Sequence, residues 1–282
     1  MRGKLHAVGL AVLAVTVAAD ASPMTIEDRN TTLCVDPDSK HGIASWCVDG
    51  THHLAKEWFW FRFEGVGAET PLDALDLIDT QLTDTNTLID DRADTLTAYY
   101  GCLDTFYIET RLALQGGQAG SGTADLVEQL AFHNRTDRPL TLWFFQYADF
   151  DLGDTARDDR VVIQGGNTAR QTDAGTILSE TVVTPRPLRV EANHWCSTLG
   201  RLCDDTITML NNTPGPCTGD VTWAFEWRLD LPAGGSALIS KDKHLVPEPA
   251  TAGLLALGGL ALLGRKRHRD VRSVTKGHIR SL

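Results

Sequence analysis

The feature that most constrains the fold is an alternation of apolar and polar residues. Every second residue between 221 and 229 is large and apolar: Val221, Trp223, Phe225, Trp227 and Leu229. A period of two places one set of side chains on one face of a β-strand. Turn-forming residues 232–235 follow, so we predict a hairpin between residues 220–231 and 236–240.

Other short apolar segments extend this pattern along the chain. We predict a second hairpin from Asp125–His133 and Leu140–Tyr147, and a strand at Glu57–Glu64 that is buried on both faces. Residues 22–56 predict an irregular lead-in, since they are rich in turn formers. No helix of ten residues is predicted in the body. The fold class is therefore all-β, an antiparallel β-sandwich that is jelly-roll-like.

The two ends of the chain differ from the body. Residues 1–21 predict a secretory signal peptide: Arg2 and Lys4 precede the apolar segment Leu5–Ala19, and Ala19-Asp20-Ala21 is a cleavage pattern. A buried N-terminal strand or helix is the alternative.

The C-terminal end holds Pro247-Glu248-Pro249, an apolar segment at 250–264, and basic residues at Arg265, Lys266 and Arg267. The apolar segment predicts a short transmembrane helix, with the basic cluster on the cytoplasmic side. Its fifteen residues would span about 22 Å, less than the roughly 30 Å hydrocarbon core. An ordinary single-pass anchor is the alternative to a transient one.

The order of motif, apolar helix and basic cluster resembles the PEP-CTERM sorting signal of exopolysaccharide-producing Gram-negative bacteria. The resemblance covers 246–269 and implies recognition by an exosortase, a membrane transpeptidase that cleaves near Pro247–Pro249. It further implies export, anchoring in the inner membrane through 250–264, and then a place at the cell surface or outside the cell. Residues 270–282 form a basic cytoplasmic tail, beyond the point where such chains usually stop.

The body at 22–245, taken as one extracytoplasmic β-sandwich domain, also resembles an uncharacterised group of PEP-CTERM proteins. The matching stretches are Trp58–Arg62, Phe145–Leu152, Trp223–Trp227 and Ile239–Lys243. The resemblance implies a fold and no activity.

Charge separates the body from the ends. Of the 26 basic and 37 acidic residues, nine basic and two acidic ones lie before residue 22 or after residue 249, which leaves the body a net charge of −18. Such a body repels phosphate backbones, so no nucleic-acid partner is predicted.

All six cysteines lie in the body, and an even number in an exported chain favours disulfide bonds. Cys34 with Cys47 is a plausible local pair, at least one more bridge is expected in the stretch that holds Cys196, Cys203 and Cys217, and Cys102 would join a third. Zinc is the rival interpretation, which the irregular spacing disfavours.

No specific catalytic signature is present, so no catalysis and no catalytic residue are predicted. Asp149, Asp151 and Asp154 are a candidate calcium site because carboxylates at alternate positions can converge on a hard cation. A solvated acidic loop is the plainer interpretation. Calcium is the only cofactor considered, apart from metal binding at His52, His53 and His194, which isolated loop histidines seldom support.

Four tryptophans have two interpretations. They are a platform for stacking sugars or part of the core, and their apolar neighbours favour the core: Trp58, Trp60, Trp223 and Trp227. The leading hypothesis is a non-enzymatic surface or matrix protein. The alternatives are a module that binds the organism's own exopolysaccharide and, less favoured, a secreted hydrolase.

Overall fold

The computed structural model describes residues 23–87, 90–173 and 175–249. The strands of its first half are β1 Met24–Asp28, β2 Thr31–Asp36, β3 Gly42–Val48, β4 Thr51–His52, β5 Leu54–Phe63, β6 Thr70–Pro71, β7 Leu77–Thr83, β8 Thr95–Cys102 and β9 Phe106–Gly116. Those of its second half are β10 Ala124–Asn134, β11 Leu140–Phe150, β12 Asp159–Gln164, β13 Thr168–Asp173, β14 Thr176–Thr184, β15 Arg189–His194, β16 Cys217–Gly219, β17 Val221–Leu231 and β18 Ser236–Pro247. The helical elements are α1 Ser197–Leu202 and the 3₁₀ turns Leu72–Ala74 and Leu152–Asp154.

The predicted signal peptide, the apolar segment at 250–264 with its basic cluster, and the tail at 270–282 lie outside the described residues. Within the part of the chain that is described, no helix is long and apolar enough to cross a membrane.

The strands form two sheets that pack face to face. The front sheet has the order β1-β2-β3-β5-β11-β17-β15, with β4 beside β3 and β6 beside β5. The back sheet has the order β16-β12-β13-β14-β18-β10-β9-β8-β7. The named strand pairs of the described residues are antiparallel except β3 with β5. The predicted all-β sandwich is therefore confirmed, and its nine strands per sheet exceed the eight strands of a whole jelly roll.

Both predicted hairpins have the correct strands and the wrong partners. β10 pairs with β9 and β18 in the back sheet, whereas β11 pairs with β5 and β17 in the front sheet. In the same way β17 belongs to the front sheet and β18 to the back sheet. The short turns therefore carry the chain from one sheet to the other, so each alternation reports a strand whose apolar face points into the space between the sheets.

The predicted irregular lead-in at 22–56 is wrong. This stretch contains β1 to β4 and the beginning of β5. β1, β2 and β3 pair consecutively, and every second residue of β2 is buried, beginning with Thr31 and including Leu33 and Val35. The turn formers lie between short strands, which an average over 35 residues does not resolve.

A group of charged side chains lies in the centre of the sandwich. This buried ion cluster consists of Glu57 on β5 of the front sheet and four residues of the back sheet, all with no exposed surface: Glu128, Glu180, Lys241 and Lys243. The Lys241 ammonium is 3.3 Å from Glu57, 2.5 Å from Glu128 and 3.2 Å from Glu180. Lys243 contacts the same three carboxylates.

Neutral donors from the front sheet complete the buried ion cluster. The Gln146 amide on β11 donates to Glu57 and to Glu180, each at 2.7 Å. The indole N–H of Trp223 on β17 donates to Glu180 at 2.7 Å. Buried charges persist only when they are paired and hydrogen-bonded, and here both sheets supply the partners.

The carboxyl groups of the cluster differ in protonation. Burial, and next the charge of Glu128, raise the pKa of Glu57 to about 7. Burial also acts to raise the pKa of Glu128, but Lys241 and Lys243 outweigh it and lower that pKa to about 2. Glu57 therefore takes up a proton at a higher pH than Glu128 does.

We expect the substitution Glu57→Gln to stabilise the protein at pH 8 and to change little near pH 4. The folded-state pKa of Glu57, about 7, lies above its ordinary value, so the wild type loses stability as the pH rises from about 4.5 to about 7. Glutamine keeps the neutral form, so the gain at pH 8 is about 3 kcal/mol. Urea unfolding across this pH range measures it, with exposed Glu248→Gln as the control. An equal effect of Glu57→Gln at both pH values would contradict the assignment.

Candidate functional site

Two segments flank and partly cover the outer face of the front sheet, the face turned away from the back sheet. The first is residues 64–76, in which β6 extends the sheet beside β5. The second is residues 195–216, which include α1. The side chain of Glu69 in the first segment pairs with Arg62 of β5 at 2.9 Å and accepts the backbone N–H of Thr208 at 2.8 Å. The Glu69 carboxylate therefore links the sheet to both segments.

Two more buried glutamates hold the second segment. Glu226 on β17 accepts the backbone N–H of Leu210 at 2.8 Å, and Glu191 on β15 accepts that of Asn211 at 2.8 Å. Glu191 also binds Thr198 of α1 at 2.6 Å and the guanidinium of Arg201. These bonds fix a loop that has little regular structure of its own.

A pocket of about 670 Å³ lies where the two segments and β5 meet. Its volume is in the range of small-molecule sites, roughly 300–1,000 Å³. The walls come from positions 66–71 and 199–205, with β5 as the floor. The polar and aromatic residues that line it are Lys40, Lys56, Trp60, Glu69, Thr70, Cys203, Asp204 and Asp205. We call it the Trp60 pocket.

The floor of the Trp60 pocket carries hydrogen-bond donors. Trp60 is 1% exposed, and its buried indole N–H has the thiol of Cys203, a weak acceptor that also lines the pocket, as its partner. Lys56, four residues earlier on the same face of β5, is half-buried and donates to the backbone carbonyl of Lys40. Burial lowers the pKa of Lys56, and the nearby Cys203 and Asp73 oppose that shift.

The predicted calcium site is altered by the fold. The carboxylates of Asp149, Asp151 and Asp220 bring ligand atoms within 4.8 Å of one another. Asp220 replaces the predicted Asp154, which lies beyond Asp151 in a 3₁₀ turn and is not part of the trio. Burial, and next the charges of Asp151 and Asp220, raise the pKa of Asp149 to about 7. We call these three residues the aspartate trio.

Asp149 has the protonation behaviour of an acid–base group near neutral pH. It lies opposite Lys56 in the pairing of β11 with β5, and it accepts a hydrogen bond from Tyr147 at 3.3 Å. It is not among the described residues that line the Trp60 pocket. A ligand in that pocket therefore has no direct contact with the trio in this arrangement.

The four tryptophans that invited two interpretations are 1–2% exposed and belong to the core. An exposed row of sugar-stacking rings from these residues is therefore excluded. Across the described ranges, neither of the two tight groups of metal-type side chains contains a histidine. Of the predicted histidine ligands, His52 and His53 line a small pocket with Asp151 and Asp154, and His194 does not. His53 accepts a hydrogen bond from Gly153, and burial lowers its pKa to about 4.

The six cysteines are free thiols in the structure. Cys34 faces Ser45 across β2 and β3, and Cys47 lies two residues further on the same face, so their predicted pairing stays a prediction. Cys196 and Cys203 stand at opposite ends of α1. A helix rises about 10 Å over seven residues, so these two cannot bridge to each other without a rearrangement.

The pocket and the ion cluster were both missed at the level of sequence. The residues that line the pocket are far apart in the chain, and no local sequence pattern predicts it. The cluster does leave a signal: Lys241 and Lys243 occupy the inward phase of β18, between Ile239 and Leu245, which are both buried. Charged residues at apolar positions of a strand predict a buried pairing.

No protein-family model and no curated protein matches the chain. Among solved structures, a bacterial glucoamylase complexed with acarbose is similar over 83% of this chain and 32% of its own, with a TM-score of 0.53 and 8% identity. This chain thus spans about a third of that protein. A putative aldose 1-epimerase from Escherichia coli K12 has a TM-score of 0.49 and 12% identity over 80% of this chain and 99% of its own. At such identities the likeness concerns the fold alone.

Calcium binding stays a prediction, now for the aspartate trio. We expect calcium to raise the melting temperature at pH 8, because it would relieve the repulsion among the three carboxylates. The gain is about 2.7 kcal/mol at a calcium concentration near 100 times the dissociation constant. Thermal melting with calcium or chelator measures it. Asp220→Asn should abolish the response and Asp154→Asn should retain it; a response that depends on Asp154 and not on Asp220 would contradict the geometry.

Proposed function

We propose that this protein is an exported surface protein that binds a carbohydrate in the Trp60 pocket and is sorted through its C-terminal segment. The observation that carries the binding proposal is the pocket itself. It combines a volume of about 670 Å³ with an indole, two lysines as donors and three carboxylates as acceptors. Polyhydroxylated ligands are held by such a mixture of aromatic surface, donors and acceptors.

The fold is compatible with this proposal. The bacterial glucoamylase, which has a similar fold over 32% of its chain, is described as complexed with acarbose. That likeness supports a carbohydrate ligand for the fold and leaves the choice of site to the geometry of this chain.

We propose binding rather than catalysis at this pocket. Two of its carboxylates already have partners: Glu69 pairs with Arg62, and Asp204 accepts the N–H and hydroxyl of Thr206. A glycosidase uses two carboxyl groups that flank the scissile bond and remain available to it. Release of sugars from a bound glycan would contradict this part of the proposal.

The sorting proposal concerns the end of the domain. β18 continues to Pro247, which faces Thr176 of β14, so the folded domain extends two residues beyond the predicted boundary at 245. Residues 247–249 are exposed. An exposed motif at the edge of a folded domain supports access by a membrane transpeptidase such as an exosortase.

We expect the substitution Ala68→Trp to abolish glycan binding, because an indole at this wall would fill the Trp60 pocket. A glycan array followed by calorimetry with the full-length protein measures binding, with a loss of at least about tenfold, roughly 1.4 kcal/mol. The matched control is Ala119→Trp in an exposed loop away from the pocket. Failure of the wild type to bind any glycan, or full binding by a folded Ala68→Trp variant, would refute the binding proposal.

We expect the protein to change size and location when the exosortase is removed. Fractionation of the native host with and without that enzyme, probed for this protein, should show a shorter surface form in the parent and a longer inner-membrane form in the deletion strain. The control is a variant with Pro247-Glu248-Pro249 replaced by alanines, which should resemble the deletion strain. If the protein has the same size and location in both strains, the sorting proposal is wrong.

A further inference from the structure

The distribution of lysines points to the chemistry of the ligand. The body at 22–249 has a net charge of −18 and four lysines: Lys40, Lys56, Lys241 and Lys243. Two of them are neutralised inside the buried ion cluster. The other two, Lys40 and Lys56, both line the Trp60 pocket. A strongly acidic body thus presents each of its remaining ammonium groups at one cavity.

The ammonium group of Lys56 makes no direct ion pair, although Cys203, Asp73 and Asp149 lie near enough to favour its charge. Among the described residues, no carboxylate lies within 4.0 Å of its ammonium group, whose hydrogen-bond acceptor is the carbonyl of Lys40. A half-buried ammonium loses hydration and is stabilised by an opposite charge. The N–H of Trp60, buried in the same floor, has only the weakly accepting thiol of Cys203 as its partner, so a carboxylate would be a stronger acceptor for it.

The carboxylates of the pocket do not fill this role. Glu69 is engaged by Arg62 and by the backbone of Thr208, and Asp204 is engaged by Thr206. Asp205 is exposed at the mouth. The acceptors therefore lie at the rim or are occupied, whereas the donors lie at the floor.

We propose that the floor of the Trp60 pocket is a carboxylate subsite and that the ligand is an acidic glycan, with a uronate carboxylate bound by Lys56 and the Trp60 N–H. Lys40 contributes at the mouth, and the aspartates accept hydroxyl groups of the sugar. This inference rests on the proposed carbohydrate function and gives it a ligand class. A free small carboxylate has the same chemistry as the uronate group, and the experiment separates the two.

The test compares four ligands against the full-length protein by calorimetry: a uronate oligosaccharide, the same oligosaccharide with its carboxyl groups reduced to alcohols, free glucuronate and acetate. We expect the acidic oligosaccharide to bind at least about tenfold more tightly than its reduced form, and acetate to bind weakly or not at all. Equal binding of the acidic and reduced forms would overturn the carboxylate subsite and leave the proposed function intact. If only acetate binds tightly, the ligand is not an acidic glycan and the pocket is a site for small carboxylates. No binding of any of the four overturns this inference, and the glycan array then decides the proposed function separately.

Variants assign the preference to residues. Lys56→Met should remove the preference for the acidic form while weak binding of the reduced form remains, and Lys56→Arg should restore it. Trp60→Phe keeps a six-membered aromatic ring and removes the pyrrole ring with its N–H, so it should reduce acidic binding several-fold. The charge-matched control is Arg138→Met, whose side chain is 86% exposed outside the pocket. A Lys56→Met protein that melts like the wild type and keeps the acidic preference would overturn the assignment.

Discussion

The buried ion cluster is the interaction on which the rest of the structure depends. Glu128 lies opposite Lys241 where β10 pairs with β18, and Glu180 lies opposite Lys243 where β14 pairs with β18. Glu57, from the front sheet, reaches both lysines. A slip of one residue in β18 would turn both ammonium groups away from the carboxylates, because neighbouring side chains of a strand face opposite ways. An apolar core of the same volume would be as stable or more so, but it would tolerate more registers.

Because the buried ion cluster holds the strands in register from the inner face, the outer face of the front sheet can carry the covering segments and the Trp60 pocket. The strands β5, β15 and β17 carry buried charged groups on this face, and Glu69, Glu191 and Glu226 accept backbone N–H groups from the covering segment. The two segments are therefore held by directed hydrogen bonds as well as by apolar packing, since Leu72, Leu202 and Leu210 are buried. The Trp60 pocket remains because the two covering segments meet around Trp60 without filling the space above it. Its walls are loops and its floor is a strand, so a rigid element positions the donors.

The sequence predicted local conformation better than pairing. Strict alternation located β17 and the inner face of the sandwich, because the burial of one face imposes a period of two on the chain. It could not decide whether β17 and β18 pair with each other, since a short turn serves a hairpin and a crossing between sheets equally well. The aspartate trio was likewise predicted only in the part that depends on local sequence. Asp149 and Asp151 follow from local spacing, but Asp220 joins them only through the pairing of β17 with β11.

The Trp60 pocket could not be predicted from the sequence, because contacts between residues far apart in the chain bring its lining together. The charges around the pocket explain how a body with a net negative charge could still bind an acidic ligand there. At physiological ionic strength, charges separated by more than about 8 Å in solvent are largely screened, so the body repels a polyanion only at close range. A half-buried contact such as that between Lys56 and a carboxylate is screened much less. The diffuse negative charge would then weaken adhesion of acidic polymers elsewhere on the surface, and the two lysines would favour binding at one place.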